Sequence, residues 1–552
     1  MENSAMKVLM VVIRFNSDSN NKADYKYHLP VGLAYISAAL KKNGYKVDWL
    51  NLNHCDGTVD DLIRDTLLQE RYNFILTGGL SVFYPAIKSC VNSFREYAPY
   101  ARIVLGGGAI SSQPNLIFKL LKPDYIVIGE GEATVLELLK CLENDGNLDK
   151  VNGIGYLGSD GQFTLTKPRE AIKDINALPC PDYEGLGLDA YLDHMVPRPT
   201  DAFYDLFDYP RPYSLVASRS CPFSCTFCFH PTGNVYRQRS IPNVVEELNF
   251  AIKRYRINII IIFDELFSYD KARILEFCKQ LKQLYKTIPW EIKWACQIRV
   301  DKLDEELLIT MKDAGCFMLG LGLESYSPVV LKSMHKKITQ QQIDQALQIT
   351  RRLNITIAGN FIFGDPAETT ETAYETLNYW KKSIYSGGGL NLGYIHPYPG
   401  TPLYHHCLNK GIIKEEADFI ENMAARLAIP LNMTNIMTDQ EFSKLRRDIY
   451  EAERAYRKFV KPLVIKDDNI NEIHVKCPYC NVRSIYKNYI FNKYSRESQQ
   501  ICCRNCGMRF SLLPMIVEIE NMFFRFLGVK ITYFVKNIVK NILKMIRYLK
   551  RA

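Results

Sequence analysis

The chain has 552 residues, enough for about three or four domains that each bury a core. Its composition, 47% hydrophobic and 23% charged, is that of a soluble globular protein. The sequence has no run of about 18 apolar residues, which excludes a transmembrane helix, and its first residues lack the order of a signal peptide. A cytoplasmic location is therefore expected, and much of the net charge of +9 lies near the C-terminus.

Residues 7–143 alternate short apolar runs with amphipathic helical stretches. The predicted strands are Lys7–Ile13, Lys46–Leu52, Asn73–Thr77, Arg102–Gly106 and Tyr125–Ile128. Strands that alternate with helices predict an α/β fold with a doubly wound parallel sheet and helices on both faces. We assign residues 1–150 to this domain. The following segment, 151–209, is assigned to a linker because it is rich in glycine and proline turn signals.

A second alternating series starts near Tyr213. Its predicted strands are Tyr213–Ser218, Ile259–Phe263, Glu291–Ala295, Phe317–Leu321, Thr356–Phe363 and Leu390–Ile395. Six βα units predict a partial (β/α)6 barrel over residues 210–410, with its chemistry at the carboxyl ends of the strands. Residues 411–465 have the pattern of a charged helical extension.

Three cysteines follow the first strand of this series, at Cys221, Cys225 and Cys228. Cytosolic cysteines stay reduced, so tight spacing points to metal binding and not to disulfides. A loop with these gaps can place three thiolates on one face of a [4Fe–4S] cluster and leave the fourth iron without a protein ligand. His230 is the one further candidate ligand nearby, and it follows Cys228 too closely to complete the cage. The loop therefore predicts a cluster with one open iron.

This motif resembles that of the radical S-adenosylmethionine (SAM) superfamily, in which an aromatic residue, here Phe227, precedes the third cysteine. The resemblance implies that SAM chelates the open iron and is cleaved reductively to a 5′-deoxyadenosyl radical. It extends over residues 210–410. Asp264 and Glu265, at a strand end, resemble the segment that binds the methionine amine, and Glu324 and Ser325 resemble the ribose-contacting segment. The resemblance implies that these four residues and Phe227 contact SAM.

Glycines mark the strand ends of the N-terminal sheet, where an open parallel sheet binds its ligands. These segments resemble the cobalamin-binding domain that precedes many radical SAM barrels. The resemblance implies cobalamin contacts from Gly78, Ser81, Gly107, Gly108, Gly129, Glu130, Gly131 and Glu132. The corrinoid signature Asp-x-His-x-x-Gly is incomplete, because Leu52 stands at the aspartate position before His54 and Gly57. Without that acid nothing orients a cobalt-ligating imidazole, so we expect cobalamin to bind without a histidine ligand, or the domain to have lost its cofactor.

Two cysteine pairs within residues 466–514 have the spacing of a zinc ribbon. They are Cys477 with Cys480 and Cys503 with Cys506. Four thiolates so arranged predict a tetrahedral zinc site that supplies folding energy to a segment too short for a core of its own, with rubredoxin-like iron as the alternative.

The last segment, 515–552, has the pattern of a basic amphipathic helix. Residues 529–552 contain no acid, and their apolar positions share one helical face. Such a helix can lie on an anionic membrane surface, here the inner face of the membrane, or it can pack on the protein itself or on a partner.

Together these features predict a cobalamin-dependent radical SAM enzyme that methylates or rearranges an unactivated, apolar substrate. One rival is a tRNA methylthiotransferase-like enzyme, which would need three N-terminal cysteines, whereas residues 13–30 contain none. Another is a non-catalytic corrinoid or iron–sulfur sensor, which would have no need of the SAM segments. The expected partners are a small-molecule or lipid-like substrate and an electron donor such as flavodoxin or ferredoxin. Nucleic acid is not expected.

Overall fold

A computed structural model describes residues 6–16, 21–195, 204–267, 270–384, 389–466, 472–491 and 499–514. Among these residues there is no helix with the length and apolar character needed to cross a membrane. The predicted basic helix of residues 515–552 lies outside the described part of the chain.

The N-terminal sheet has seven strands in the order β2-β1-β3-β4-β5-β6-β7. The first five are parallel, and their order is that of a doubly wound sheet with a switch point between β1 and β3, as the sequence predicted. The strands are β1 Lys7–Val12, β2 Lys46–Asn51, β3 Phe74–Gly78, β4 Arg102–Gly106, β5 Tyr125–Val127, β6 Ile154–Leu157 and β7 Phe163–Leu165.

Helices cover both faces of this sheet. Along β1, Leu9 and Val11 pack against α2, α3 and α5, whereas Val8 and Met10 pack against α1 and α6, because successive strand residues point to opposite faces. The helices are α1 Val31–Lys42, α2 Val59–Gln69, α3 Tyr84–Tyr97, α4 Gly108–Ser112, α5 Pro114–Leu121 and α6 Gly131–Glu143.

The segment assigned to the linker is more regular than its sequence suggested. Strands β6 and β7 form an antiparallel hairpin that extends the sheet beyond β5, and the turn of this hairpin contains Gly158 and Gly161. Two short helices follow, α7 Tyr183–Leu186 and α8 Leu188–Asp193. Tyr183, Leu186, Leu188, Tyr191 and Leu192 are buried in the core that these helices share with the barrel.

The barrel is a six-stranded parallel sheet in the order β15-β14-β13-β12-β11-β8, so the predicted partial barrel is confirmed. Its strands are β8 Pro212–Leu215, β11 Ile259–Ile262, β12 Lys293–Ile298, β13 Cys316–Glu324, β14 Thr356–Phe363 and β15 Leu390–Tyr394. The short strands β9 Ser218–Arg219 and β10 Arg237–Gln238 pair with each other above β8. The largest core side chains are those of Trp294 and Trp380, both fully buried.

Helices surround the barrel and make up most of residues 402–456. They are α9 Ile241–Tyr255, α10 Lys271–Tyr285, α11 Glu305–Asp313, α12 Pro328–Ser333, α13 Gln340–Arg352, α14 Thr370–Ser383, α15 Pro402–Asn409, α16 Glu416–Glu421, α17 Met423–Arg426 and α18 Asp439–Tyr456. Most begin with a side-chain cap. Thr438, for example, forms a capping box with Glu441 at the start of α18.

Two small three-stranded sheets complete the described chain. One has the order β16-β21-β20 and the other β17-β18-β19. Their strands are β16 Phe459–Val460, β17 Val464–Lys466, β18 Glu472–Lys476, β19 Arg483–Lys487, β20 Gln499–Cys502 and β21 Arg509–Leu512. This module contacts the barrel at the start of β14, where the Thr356 hydroxyl donates a hydrogen bond to the Gly507 carbonyl. It therefore lies at the end of the barrel opposite the cysteine loop.

Candidate active site

The three cysteines of the barrel lie on a long loop between β9 and β10. Cys225 is buried, and Cys221 and Cys228 are partly exposed. Backbone hydrogen bonds hold the middle of the loop, because Thr226 N donates to Met334 O and Leu403 N donates to Thr226 O. The donor set is three thiols on one loop at a strand end, which suits a cluster with one iron left open.

Two buried cations flank this loop. The Arg299 guanidinium lies 3.7 Å from the centre of the Phe223 ring and donates to the carbonyls of Lys336 and Lys337. Lys336 Nζ lies 2.6 Å from Glu324 Oε1. Burial alone would lower the pKa of Lys336, but the Glu324 carboxylate outweighs burial and raises it, so the ammonium stays charged.

The predicted SAM-binding residues have different surroundings. Asp264 is 2% exposed, and its carboxylate accepts hydrogen bonds of 2.7 Å from Ala217 N and from the Ser218 hydroxyl. Burial raises the pKa of Asp264 to about 6. Ser325 is fully buried, with its hydroxyl 3.0 Å from that of Thr376. Asp264 and Ser325 thus brace loops of the barrel.

Phe227, Glu324 and Glu265 complete the predicted set. Phe227 packs against the apolar cluster that contains Val330 and Met334. Glu324 has a positive φ of 61° at an irregularity between β13 and β14, and its carboxylate pairs with Lys336. Glu265 is the member of the set whose side chain lines an open cavity, and its Oε2 lies 3.2 Å from His230 Nδ1.

This cavity, of about 780 Å³, lies between the carboxyl ends of the N-terminal strands and the base of the cysteine loop. Its volume is that of a site for a sizeable ligand. The wall from the N-terminal sheet includes Gly78, Gly79, Gly106, Gly107, Gly108, Gly129, Glu130, Gly131 and Glu132, and the wall from the barrel includes Val216, Ser218, Arg219, Ser220, Thr232, Phe263 and Glu265.

The glycine floor of the cavity is fixed by backbone packing. A Cβ on Gly78 would lie 2.0 Å from the Gly106 carbonyl oxygen. Gly107 has a φ of 91°, and its Cβ would lie 3.0 Å from Gly79 O. Neither position accepts a side chain, so neighbouring strands offer bare backbone to a ligand. A flat, bulky group such as a corrinoid fits this floor.

Three predicted cobalamin contacts have protein partners of their own. The carboxylates of Glu130 and Glu132 accept hydrogen bonds from Arg219, and Glu130 also accepts from Arg237. The Ser81 hydroxyl lies 3.5 Å from that of Ser112. Sequence analysis did not identify the two arginines, although Arg219 stands two residues before Cys221.

His54 is directed toward another ring and not toward the glycine floor. Its Nε2 lies 2.7 Å from the Tyr27 hydroxyl, and its ring lies 4.6 Å from that of Tyr25. Burial lowers the pKa of His54 to about 4, so the imidazole is neutral. The cavity wall contains instead Leu80, which is 59% exposed, with Phe263 and His28. Sequence analysis did not identify these three residues.

The second cysteine group is compact. The ligand atoms of Cys477, Cys480, Cys503 and Cys506 all lie within 4.8 Å of one another. The Sγ atoms of Cys477 and Cys506 are 3.8 Å apart, and those of Cys480 and Cys503 are 3.7 Å apart. A regular tetrahedron with metal–sulfur bonds of about 2.3 Å has edges of about 3.8 Å. The four thiols therefore have the geometry of a zinc site.

Comparison with known proteins agrees with this architecture. Residues 21–139 match the family model of the B12 binding domain, and residues 215–379 match that of the radical SAM superfamily. An uncharacterized methyltransferase of Pyrococcus horikoshii is 27% identical over 76% of this chain and 86% of its own length. An anaerobic magnesium-protoporphyrin IX monomethyl ester cyclase of Cereibacter sphaeroides is 26% identical, and the alignment covers 68% of this chain and 60% of that protein.

The same fold occurs in the radical SAM methyltransferase TsrM from Kitasatospora setae. The TM-score is 0.58 at 17% sequence identity, over 73% of this chain and 75% of that one. The chain thus carries a B12 binding domain followed by a radical SAM domain, and it is a radical SAM enzyme. These domains imply a [4Fe–4S] cluster, SAM and cobalamin as its cofactors, and the four-cysteine cluster can bind zinc.

Proposed function

We propose that this enzyme transfers a methyl group from SAM to an unactivated carbon of a small, largely apolar substrate. The observation that carries the proposal is a shared cavity. The glycine floor lines it on one side, and the base of the cysteine loop lines it on the other. Two cofactors bound at its two walls would face a common space. A relative named as a methyltransferase, aligned over most of both chains, supports methyl transfer.

Different residues would bind the different cofactors. Cys221, Cys225 and Cys228 would hold the cluster, and Glu265, supported by His230, would accept hydrogen bonds from the SAM amine. The glycine floor would carry the corrinoid ring. When bound, the cluster supplies an electron for the cleavage of SAM, and cobalamin supplies a methyl carrier.

The net reaction determines which bonds break and how many electrons must be supplied. One substrate C–H bond and one carbon–sulfur bond in each of two SAM molecules break, and one C–C bond forms. The hydrogen atom leaves as part of 5′-deoxyadenosine, and the other products are methionine and S-adenosylhomocysteine. Two electrons balance the two sulfonium charges. A low-potential protein of the flavodoxin or ferredoxin class would supply them.

The cavity wall fits an apolar substrate. Leu80 and Phe263 expose 59% and 44% of their surface beside it, although burial of such side chains is favourable. An apolar ligand that covers them gains that burial energy, and it keeps water away from a reactive carbon radical. Glu265 and His28 remain as polar groups that could orient the substrate or SAM.

The test is a single-turnover assay on anaerobically reconstituted, cobalamin-loaded protein with SAM and a strong reductant. We expect about one S-adenosylhomocysteine per bound cobalamin, together with 5′-deoxyadenosine. Cys225→Ala should abolish 5′-deoxyadenosine formation, whereas Cys180→Ala, at an exposed cysteine outside the loop, should not. Formation of 5′-deoxyadenosine without S-adenosylhomocysteine would reject methyl transfer. It would favour ring formation, the activity for which the Cereibacter relative is named.

A further inference from the structure

The neck of the cysteine loop, formed by strands β9 and β10, contains two largely buried arginines that face each other. Arg219 in β9 and Arg237 in β10 are directly opposite in an antiparallel pair. Their side chains are 12% and 7% exposed. Like charges at opposite positions destabilise a strand pair, and the low solvent exposure of these side chains limits the screening of their repulsion. The neck therefore requires anionic partners.

Those partners come from the N-terminal sheet. Arg219 donates to Glu130 Oε1 at 2.8 Å and to Glu132 Oε1 at 2.5 Å. Arg237 donates to both Glu130 oxygens, at 2.8 and 2.7 Å. Burial would raise the pKa of Glu130, but Arg219, Arg237 and the Ile172 backbone N–H together lower it. The glutamates begin helix α6, where the helix dipole also favours negative charge.

This group of charged side chains is adjacent in sequence to the first cysteine of the loop. Ser220 follows Arg219, has a φ of 67°, and accepts a hydrogen bond of 2.9 Å from Arg237. Cys221 is the next residue. Across the neck, a Cβ on Gly129 would lie 3.7 Å from the Pro231 carbonyl oxygen, so the turn before α6 contacts the far side of the same loop.

We propose that Glu130 and Glu132 are positioning residues that lock the neck of the cysteine loop onto the N-terminal sheet. The cysteine loop is then held in position only when both parts of the protein are docked, and the distance between the glycine floor and the cysteines is fixed by four side chains. Removal of the acids leaves two largely buried arginines in mutual repulsion, which opens the loop. The catalytic consequence rests on the proposed function, whereas the mechanical consequence does not.

Hydrogen exchange of reconstituted, full-length protein tests the mechanical part. In Glu130→Gln/Glu132→Gln, amides of residues 220–236 should exchange at least about tenfold faster than in the wild type. Glu137→Gln is the matched control, because Glu137 lies on the same helix and pairs with Arg169, away from the loop. If the double variant fails to fold, Glu132→Gln alone removes one contact of Arg219 and leaves Glu130 in place.

A second substitution separates charge from packing. Glu132→Gln/Arg219→Gln removes the repulsion together with the acid, so exchange in 220–236 should return toward the wild-type rate. Unchanged exchange in both acid variants would overturn the proposal, whatever reaction the enzyme catalyses. Exchange in Glu132→Gln/Arg219→Gln that is faster than in Glu132→Gln would overturn it as well. Faster exchange in the acid variants, with no S-adenosylhomocysteine from the wild type, would retain the lock and reject the proposed function.

Discussion

Lys336 and Glu324 form a buried ion pair of 2.6 Å beside the loop that carries Cys225. Both side chains are about 10% exposed, and the removal of either leaves the other charge without its partner. Lys336→Met should therefore destabilise the barrel by about 3–5 kcal/mol. Lys336→Met/Glu324→Gln should recover part of this loss. Chemical unfolding of the two variants measures it, with Lys337→Met, at an exposed lysine, as control.

The same lysine bears on the redox chemistry of the neighbouring cluster. Net charge near an iron–sulfur cluster is one determinant of its reduction potential. Loss of the Lys336 ammonium should make the potential more negative, and Lys336→Met/Glu324→Gln should lie closer to the wild type. A redox titration followed by electron paramagnetic resonance measures this. Equal potentials in all three proteins would show that the pair serves structure alone.

His54→Ala should leave the optical spectrum of bound cobalamin unchanged. The His54 ring bonds to Tyr27 and is not part of the wall of the cavity, so it is not in position to ligate cobalt. The substitution removes one partly buried hydrogen bond, and about 1 kcal/mol of stability should be lost. A histidine-ligated spectrum in the wild type that disappears in the variant would contradict this assignment.

Glu368 should make stability depend on pH. It is fully buried, with one oxygen accepting from Gly364 N at 2.7 Å. Burial raises the pKa of Glu368 to about 8, and Asp365 adds to the shift. Because the folded value lies above the ordinary 4.5, its contribution is fully present below pH 4.5 and is lost as the pH rises to 8.

Glu368→Gln keeps the acceptor and removes the charge. Its stability relative to the wild type should increase by about 1 kcal/mol per pH unit between pH 5 and 8. Urea unfolding at several pH values measures the trend. Glu375→Gln, at an exposed glutamate on α14, is the matched control. A gain for Glu368→Gln that does not vary with pH would mean that Glu368 titrates normally in the folded protein.

Zinc removal should affect the C-terminal module and spare the cluster. Cys503→Ser should lose its zinc equivalent, measured by elemental analysis, because a hydroxyl is a poor substitute for a thiolate ligand. Cys502→Ser is the matched control. Cys502 is buried next to Cys503, yet its Sγ lies 3.4 Å from the Gly507 carbonyl and outside the tetrahedral set. Retention of zinc by Cys503→Ser would contradict the assignment.

Sequence analysis located the parallel strands of the N-terminal sheet and of the barrel, with ends displaced by up to three residues, and both cysteine groups, because hydrophobic alternation and ligand spacing are local features. Side-chain direction at a strand end is not local. Phe263, Asp264 and Glu265 are consecutive, yet Asp264 is buried against Ala217 N and the Ser218 hydroxyl, whereas its neighbours line the cavity. Adjacent residues of an extended chain point their side chains in opposite directions. Sequence alone does not determine this alternation beyond the end of a strand.

The arginine–glutamate contacts could not be predicted from the sequence, for a different reason. Glu132 and Arg219 are 87 residues apart, and each is individually an ordinary charged residue near a turn. Their pairing follows from the docking of one sheet on another. The hairpin of β6 and β7 was missed because its short, half-exposed strands show little apolar alternation.

The tetrathiolate site in the C-terminal module has a practical consequence for quantifying the cofactor content of this enzyme. Four cysteine sulfurs at tetrahedral spacing accept iron as well as zinc. Reconstitution of an iron–sulfur cluster exposes a protein to excess iron and sulfide. A preparation that has exchanged its zinc would hold about five irons per chain with a single cluster. Iron counts above four would then be a misleading sign of a second cluster, and acid-labile sulfide, which a mononuclear iron lacks, is the better measure.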